Sequence, residues 1–220
     1  MTYLIFKATV LSVLRMWFRP AVDGAGNLPR GPAVIACNHL SFSDDFFLAA
    51  VVSRRVTFLV KSSLFTAPGV KGWLMARIFR GLGAVPVDRV GGSAGDAAVR
   101  AGIQVLRQGG LLGIAPEGTR SPDGRLYRGR TGVARMALAA GCPVIPVAII
   151  GTDKVLPPGT TVPQRSPMSI RIGMPLDFPP AESAEPDHET LRVITDKIMN
   201  EIQQLSGQEY VDEYSPGPGL

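Results

Sequence analysis

From Pro32 onward the chain alternates between short apolar runs rich in β-branched residues and longer runs with apolar residues at helical spacing, an order that few folds accept. Pro32 to Cys37 reads as a buried strand. Asp44 to Val52 reads as a helix with Phe46, Phe47, Ala50 and Val51 on one side and Ser43 as its N-cap. Arg55 to Val60 has the content of a second strand and leaves Lys61 projecting from its end. Pro68 to Arg80 follows as a helix. Gly83 to Arg89 is a strand whose Pro86 points to an edge or a bulge, and Gly95 to Gln108 is a helix stopped by Gly109-Gly110. Leu111 to Ala115, Gly132 to Ala140 and Pro143 to Ile150 continue the series as strand, helix and strand. The alternation predicts an α/β fold, a single-domain layered structure with a mixed central sheet and helices on both faces. A chain of 220 residues is long enough for one such domain.

The flanks are less regular. Ala21 to Gly31 reads as a loop or edge hairpin, and Met168 to Ile172 as an edge strand. A helix from about Asp187 turns Leu191, Ile194, Ile198, Ile202 and Leu205 inward. Residues 209–220 are Pro/Gly-rich and read as a loose C-terminal tail, so the folded domain is placed at residues 20–208. Residues 1–19 form a separate segment. Tyr3 to Phe18 is too short and too charged to span a bilayer, yet Leu4, Ala8, Leu11, Leu14 and Phe18 recur at helical spacing, with Trp17 near the end. That pattern suits an amphipathic membrane-interface helix, and equally a helix packed on the domain's own core.

Charge narrows the partners. The net charge is +5, and only five of the 23 basic residues are lysine, a balance that favours phosphate-bearing partners or an anionic membrane. No basic stripe interleaved with aromatics and no zinc-finger or helix-turn-helix pattern points to nucleic acid. Cys37 and Cys142 lie in or beside apolar runs and read as reduced core thiols, and two distant histidines make no metal site.

Chemistry is expected at the strand ends, where open α/β sheets collect their ligands. His39 follows the first strand, and Asp44, five residues on, stands in the first helical turn. The acid can accept the N–H of one ring nitrogen and leave the other as a base, though the same pair also suits a loop-closing histidine and a helix N-terminal acid. Lys61, Arg89 and Glu117 with Arg120 occupy other strand ends. Three cations beside a histidine base would suit a glycerol-phosphate alcohol as acceptor. No covalent carrier or cofactor is evident. Cys37 as an acyl-forming nucleophile is the rival to the histidine.

Asn38-His39 with Asp44 resembles the NHxxxxD block of the glycerophospholipid acyltransferases, and Pro116-Glu117-Gly118-Thr119-Arg120-Ser121 resembles their PEGTRS block. Gly83 to Arg89 is similar to the third signature, with Pro86 where an aromatic is usual, and Val144-Ile145-Pro146-Val147 to the fourth. The order and spacing agree from about Asn27 to Gly173, most closely with 1-acylglycerol-3-phosphate acyltransferases of the PlsC type, actinobacterial ones in particular. The resemblance implies transfer of an acyl group from acyl-CoA, or acyl-carrier protein, to the free hydroxyl of a lysophospholipid at the cytoplasmic face of the cell membrane. It also implies roles for His39 as general base, Asp44 as its orienting acid, and Lys61, Arg89 and Arg120 as phosphate ligands. Glu117, Gly118 and Thr119 would complete the acceptor-side loop. A glycerol-3-phosphate or glycolipid acyltransferase is the rival within enzymes, and a non-catalytic lipid-binding protein the rival outside them.

Overall fold

A computed structural model describes residues 2–87, 94–157, 160, 162–179 and 186–217. Its centre is β2 (Ala33–Cys37), buried along its whole length between β5 (Leu111–Ile114) and β7 (Val144–Ile150), both parallel to it. A strand with neighbours on both edges and helices on both faces needs an unbroken apolar run, which Ala33 to Cys37 supplies. Ala33, Ile35 and Cys37 enter one half of the core; Val34 and Ala36 enter the other. With β1 (Ala21–Asp23), β3 (Val56–Lys61), β4 (Val85–Val87) and β8 (Ser169–Ile172), the sheet order is β1-β8-β7-β2-β5-β3-β4. Five strands are parallel. β8 runs antiparallel to β7 and carries β1 on its outer side, so the sheet is mixed as expected.

Several elements depart from the sequence reading. Met168 to Ile172 was expected at an edge, but Ala21 to Asp23 pairs outside it as a short edge strand. Three residues between Pro20 and Gly24 carry too little pattern to be seen alone. Pro86 does lie on an edge strand, β4, where its missing N–H leaves no ladder bond unmade. Of the segment Gly83 to Arg89, Val85–Val87 forms the strand among the described residues, and Arg89 lies outside them. Leu126–Tyr127 (β6), in a polar, turn-rich stretch, is buried and pairs with Tyr210–Val211 (β9), in the segment read as a loose tail. Backbone pairing over more than eighty residues leaves no local signal.

The faces of the sheet are covered unequally. On one lie α6 (Ala94–Arg107), α7 (Gly132–Ala140) and α9 (His188–Ser206), packing Leu106, Met136, Ile194 and Ile198 together. Asp187 caps α9 by accepting the Thr190 amide at 2.6 Å. On the other lie α3 (Asp44–Val51), α5 (Gly69–Leu82) and the N-terminal helix, which is α1 (Thr2–Phe6), a π turn (Lys7–Leu11) and α2 (Ser12–Phe18) in succession. The shorter α4 (Ser63–Thr66) and α8 (Thr152–Val155) lie in connections.

The π turn decides which side of the N-terminal helix meets the core. Its i→i+5 step turns Phe6 and Leu11 toward the same side, against the core, and rotates Leu4 out. Phe6, Leu14 and Phe18 pack on the core, while Leu4, Ile5, Val13, Met16 and Trp17 are exposed. Lys7, a cation within the segment that suits a membrane interface, donates to the carbonyls of Val52 at 2.7 Å and Ser53 at 2.5 Å, just past the end of α3.

Candidate active site

His39 stands two residues beyond the C-terminal end of β2, and the loop 38–43 carries it over the start of α3. Its Nδ1 lies 2.8 Å from Oδ2 of Asp44. That oxygen also accepts the backbone amides of Leu40 at 2.7 Å and Ser41 at 2.8 Å. The carboxylate is therefore the hub of the loop as well as the partner of the imidazole. Ser43, expected to cap α3, makes no side-chain cap bond; its hydroxyl turns to Ser41 Oγ at 3.1 Å. Asp44 Oδ2 takes the amides of the loop that precedes the helix and caps none of the helix's own.

Burial would pull the His39 pKa down, but the hydrogen bond and charge of Asp44, with Asp45 behind, lift it above the ordinary 6.5 against the opposing charge of Arg120. Asp44 is fully buried, whereas the His39 side chain keeps about a quarter of its surface open. With Nδ1 committed to Asp44, Nε2 is the nitrogen left for chemistry.

Glu117 joins this loop to the one that follows β5. Its Oε1 accepts the His39 amide at 3.3 Å and its Oε2 the Tyr127 amide at 3.0 Å. Burial drives its pKa up to about 7 against both bonds. Ser121 closes the other side, its amide donating to the His39 carbonyl at 2.8 Å. Gly118 has φ +77, and a Cβ there would stand 3.1 Å from the Arg130 side chain. Asn38, buried beside His39, exchanges two bonds with the backbone of Ile149 and donates to Gln208 Oε1 at 2.8 Å.

His39 and Gly118 lie on the wall of a cavity of about 640 Å³, within the range of small-molecule sites. Phe58, Val99, Val133 and Met136 give it an apolar side between β3, β5, α6 and α7, while Asp45, Asp96, Arg130 and Arg135 put charge on the rest of its wall.

The residues picked from sequence are thus only partly gathered. His39, Asp44 and Glu117 are joined directly, and Arg120 is close enough for its charge to act on His39. Thr119 lies between Gly118 and Arg120, near Gly217 of the C-terminal segment. Lys61 is exposed at the end of β3, on the same sheet edge as His39 because the strands are parallel. Four arginines, Arg120, Arg125, Arg128 and Arg130, lie within eleven residues of sequence; Arg125 pairs with Asp123 at 2.7 Å and Arg128 with Asp212 at 3.6 Å. Arg130 instead stacks on the Tyr214 ring at 5.0 Å and reaches the cavity, a distinction that sequence position alone does not make. Cys37 is buried in the core, its thiol pushed well up by burial and by the carboxylates of Asp45, Asp44 and Glu117, the reverse of the environment that activates a thiol. Among the described residues no group of His, Cys, Asp and Glu could hold a metal ion.

Residues 19–150 match a family model described as Acyltransferase. The chain is 30% identical over 186 residues to the 1-acyl-sn-glycerol-3-phosphate acyltransferase of Bacillus subtilis, a match covering 83% of this chain and 85% of that protein. It is 32% identical over 146 residues to a chloroplastic 1-acyl-sn-glycerol-3-phosphate acyltransferase of Arabidopsis thaliana, covering 66% of this chain and 39% of that one. A second plant relative, from Brassica napus, matches at 32% over 66% of this chain, so the chain spans about two fifths of the length of these plant proteins. The crystal structure of the 1-acyl-sn-glycerophosphate (LPA) acyltransferase PlsC of Thermotoga maritima resembles this fold with a TM-score of 0.66 at 26% identity, over 90% of this chain and 80% of that one.

Proposed function

Because the chain belongs to the acyltransferase family, we propose that it moves a fatty acyl group from a thioester donor to the free hydroxyl of 1-acylglycerol-3-phosphate, giving phosphatidic acid. The observation that carries this reading is the His39–Asp44 pair opening on a cavity of about 640 Å³ whose wall is part apolar and part charged, as an amphiphilic substrate requires.

His39 Nε2 takes the proton of the acceptor hydroxyl as its oxygen attacks the thioester carbonyl. Asp44 holds the Nδ1 proton and stabilises the imidazolium that forms. Collapse of the tetrahedral intermediate breaks the C–S bond, and the imidazolium returns the proton to the departing thiolate, so no net proton is gained or lost. No acyl-enzyme is needed, in keeping with the inert Cys37.

Arg120, Lys61 and Arg89 are assigned to the acceptor phosphate, with Arg130 as a further cation on the cavity wall. Glu117, bonded to the amides of His39 and Tyr127, ties the acceptor-side loop to the base, and Gly118 and Thr119 shape that loop. Acyl-CoA or acyl-carrier protein serves as donor substrate, with no cofactor.

The acceptor is an amphiphile, and the protein is assigned to the cytoplasmic membrane surface as a peripheral protein. No helix among the described residues is long and apolar enough to cross a membrane. α1 and α5 are neighbours, with Phe6 against Gly81, and together they expose Leu4, Ile5, Val70, Trp73 and Leu74. This face is coupled to the site, since Phe42 of the His39 loop packs edge-on against Phe79 of α5 at 5.7 Å.

Incubating purified protein with palmitoyl-CoA or palmitoyl-acyl-carrier protein and a panel of glycerol-3-phosphate and lysolipids, with products read by mass spectrometry, tests the assignment. Phosphatidic acid from lysophosphatidic acid is the expected product. Acylation of glycerol-3-phosphate or a glycolipid alone would reassign the acceptor, and no transfer to any acceptor would leave a lipid-binding protein.

A further inference from the structure

We infer that Gln208, in the short link between α9 and β9, is a positioning residue for the catalytic loop; the inference rests on the assignment of His39 as the base. The side chain closes a ring of hydrogen bonds around the site. Asn38 Nδ2 donates to Gln208 Oε1 at 2.8 Å, and Gln208 Nε2 donates to the Gly124 carbonyl at 2.6 Å. The Gly124 amide donates to Ser121 Oγ at 2.9 Å, and the Ser121 amide to the His39 carbonyl at 2.8 Å. His39 is joined to Asn38 by the chain itself, which completes the circuit.

Gln208 is the one member that comes from outside the two motif loops, 170 residues from Asn38 and 84 from Gly124. Its chemistry fits the place. One planar amide offers an acceptor to Asn38 and a donor to a carbonyl, which neither a carboxylate nor an apolar side chain of the same length can do. Its backbone is fixed on both sides. Gly207 ends α9 at φ 72, the Gln208 amide bonds Ser206 Oγ at 3.2 Å, and the Glu209 carbonyl accepts the Leu126 amide at 2.9 Å where the β6–β9 pair begins. A side chain anchored in this way can hold other groups in place.

What the ring sets is the separation between the base and the loop that carries Arg120. Without Gln208 that separation rests on the Ser121–His39 bond and on the longer 3.3 Å bond from the His39 amide to Glu117. Displacements of about an ångström between a base and its substrate anchor can cost on the order of a hundredfold in rate. A ring member that leaves the other bonds standing is expected to cost less.

The test uses the full-length protein with Gln208→Met, which keeps length and loses both bonds, and Gln208→Glu, which keeps the acceptor and loses the donor. With lysophosphatidic acid and palmitoyl-CoA, Gln208→Met is expected to lower kcat about tenfold and raise KM for the acceptor severalfold, leaving KM for the donor within about twofold. The melting temperature should stay within about 3 °C of wild type. Gln208→Glu should fall between the two. Ser121→Ala opens the ring elsewhere, so the double variant should be scarcely worse than the poorer single one. Independent of turnover, amide hydrogen exchange should rise across residues 117–125 and stay unchanged in the middle of α9. Unchanged kinetics, multiplicative losses in the double variant, or a fall in melting temperature with both KM values unmoved would overturn the inference. An inactive wild type would overturn the acyltransferase assignment instead, and exchange would still decide whether Gln208 holds the two loops together.

Discussion

Oδ2 of Asp44 accepts from His39 Nδ1 at 2.8 Å and, at the same time, from the amides of Leu40 and Ser41, so a single oxygen orients the imidazole and folds the loop that presents it. His39→Ala should lower kcat by at least about a thousandfold with the fold intact, as expected for removing a general base. Asp44→Asn should be nearly as damaging. Wild-type turnover in a folded His39→Ala protein would rule out the mechanism.

The same pair sets a pH dependence. Turnover needs neutral His39, and its pKa lies above 6.5, so kcat/KM should rise with pH through a limb centred above that value. In Asp44→Asn the hydrogen-bonded charge that lifts the pKa is gone while burial still lowers it, so the residual activity should show the limb at lower pH. A pH profile of both proteins checks the direction.

Glu117 makes a separate prediction about stability. Its folded pKa of about 7 lies above the ordinary 4.5, so between those values the folded chain keeps a proton that the unfolded chain has released. The sign is that stability falls as pH rises across this window, by roughly 3 kcal/mol if Glu117 acted alone. Glu117→Gln should lose this component of the pH dependence. It should also be less stable at pH 5 by about 1–3 kcal/mol, because one of the two amides would face an NH₂ group. Urea unfolding of both proteins at pH 5 and pH 8 measures the difference.

How far the sequence reaches is visible in which contacts are local. His39 and Asp44 are five residues apart, so their meeting follows from a strand end and a helix start, both written in the apolar pattern. The parallel strands around β2 are long apolar runs, and they bring Lys61, His39 and Glu117 to one edge of the sheet. Nothing comparable announces Gln208, whose partners are set by how α9 ends and how Tyr210–Val211 finds Leu126–Tyr127. The π turn escapes notice for a different reason: one extra residue in a helical turn changes which residues face the core without changing composition. Arg130 could be picked out from Arg125 and Arg128 only once Asp123 and Asp212 were seen to neutralise the other two.

The cavity predicts chain-length control. Val99 is buried on α6 and lines the apolar side of the cavity with Phe58 and Met136. Val99→Phe should reduce turnover with palmitoyl-CoA about tenfold or more while sparing a short-chain donor such as octanoyl-CoA, since the added ring takes space only a long chain needs. Equal losses with both donors would mean that the acyl chain lies elsewhere.

The last prediction concerns the face formed by the N-terminal helix and α5. Deleting residues 1–19 would be a poor test, because Leu11 is only 1% exposed and Phe6, Leu14 and Phe18 pack on the core, so the deletion would damage the fold. Trp17 and Trp73 are 63% and 60% exposed, and replacing both by Ala should leave the melting temperature almost unchanged. Vesicle binding should nevertheless weaken by about tenfold or more, since large amphipathic rings are the side chains suited to the headgroup level. Arg15, Arg19, Lys71, Arg77 and Arg80 are exposed and available to anionic lipid, whereas Lys7 is tied to the end of α3. Binding should therefore be stronger on anionic than on neutral vesicles and weaker in salt, at about 1 kcal/mol for each basic residue near the surface. The double variant should keep its activity on a short-chain, water-soluble lysolipid and lose activity on long-chain substrate in vesicles. Flotation at low and high salt decides the matter: equal binding by wild type and the double variant would mean that the enzyme meets its lipid through another surface.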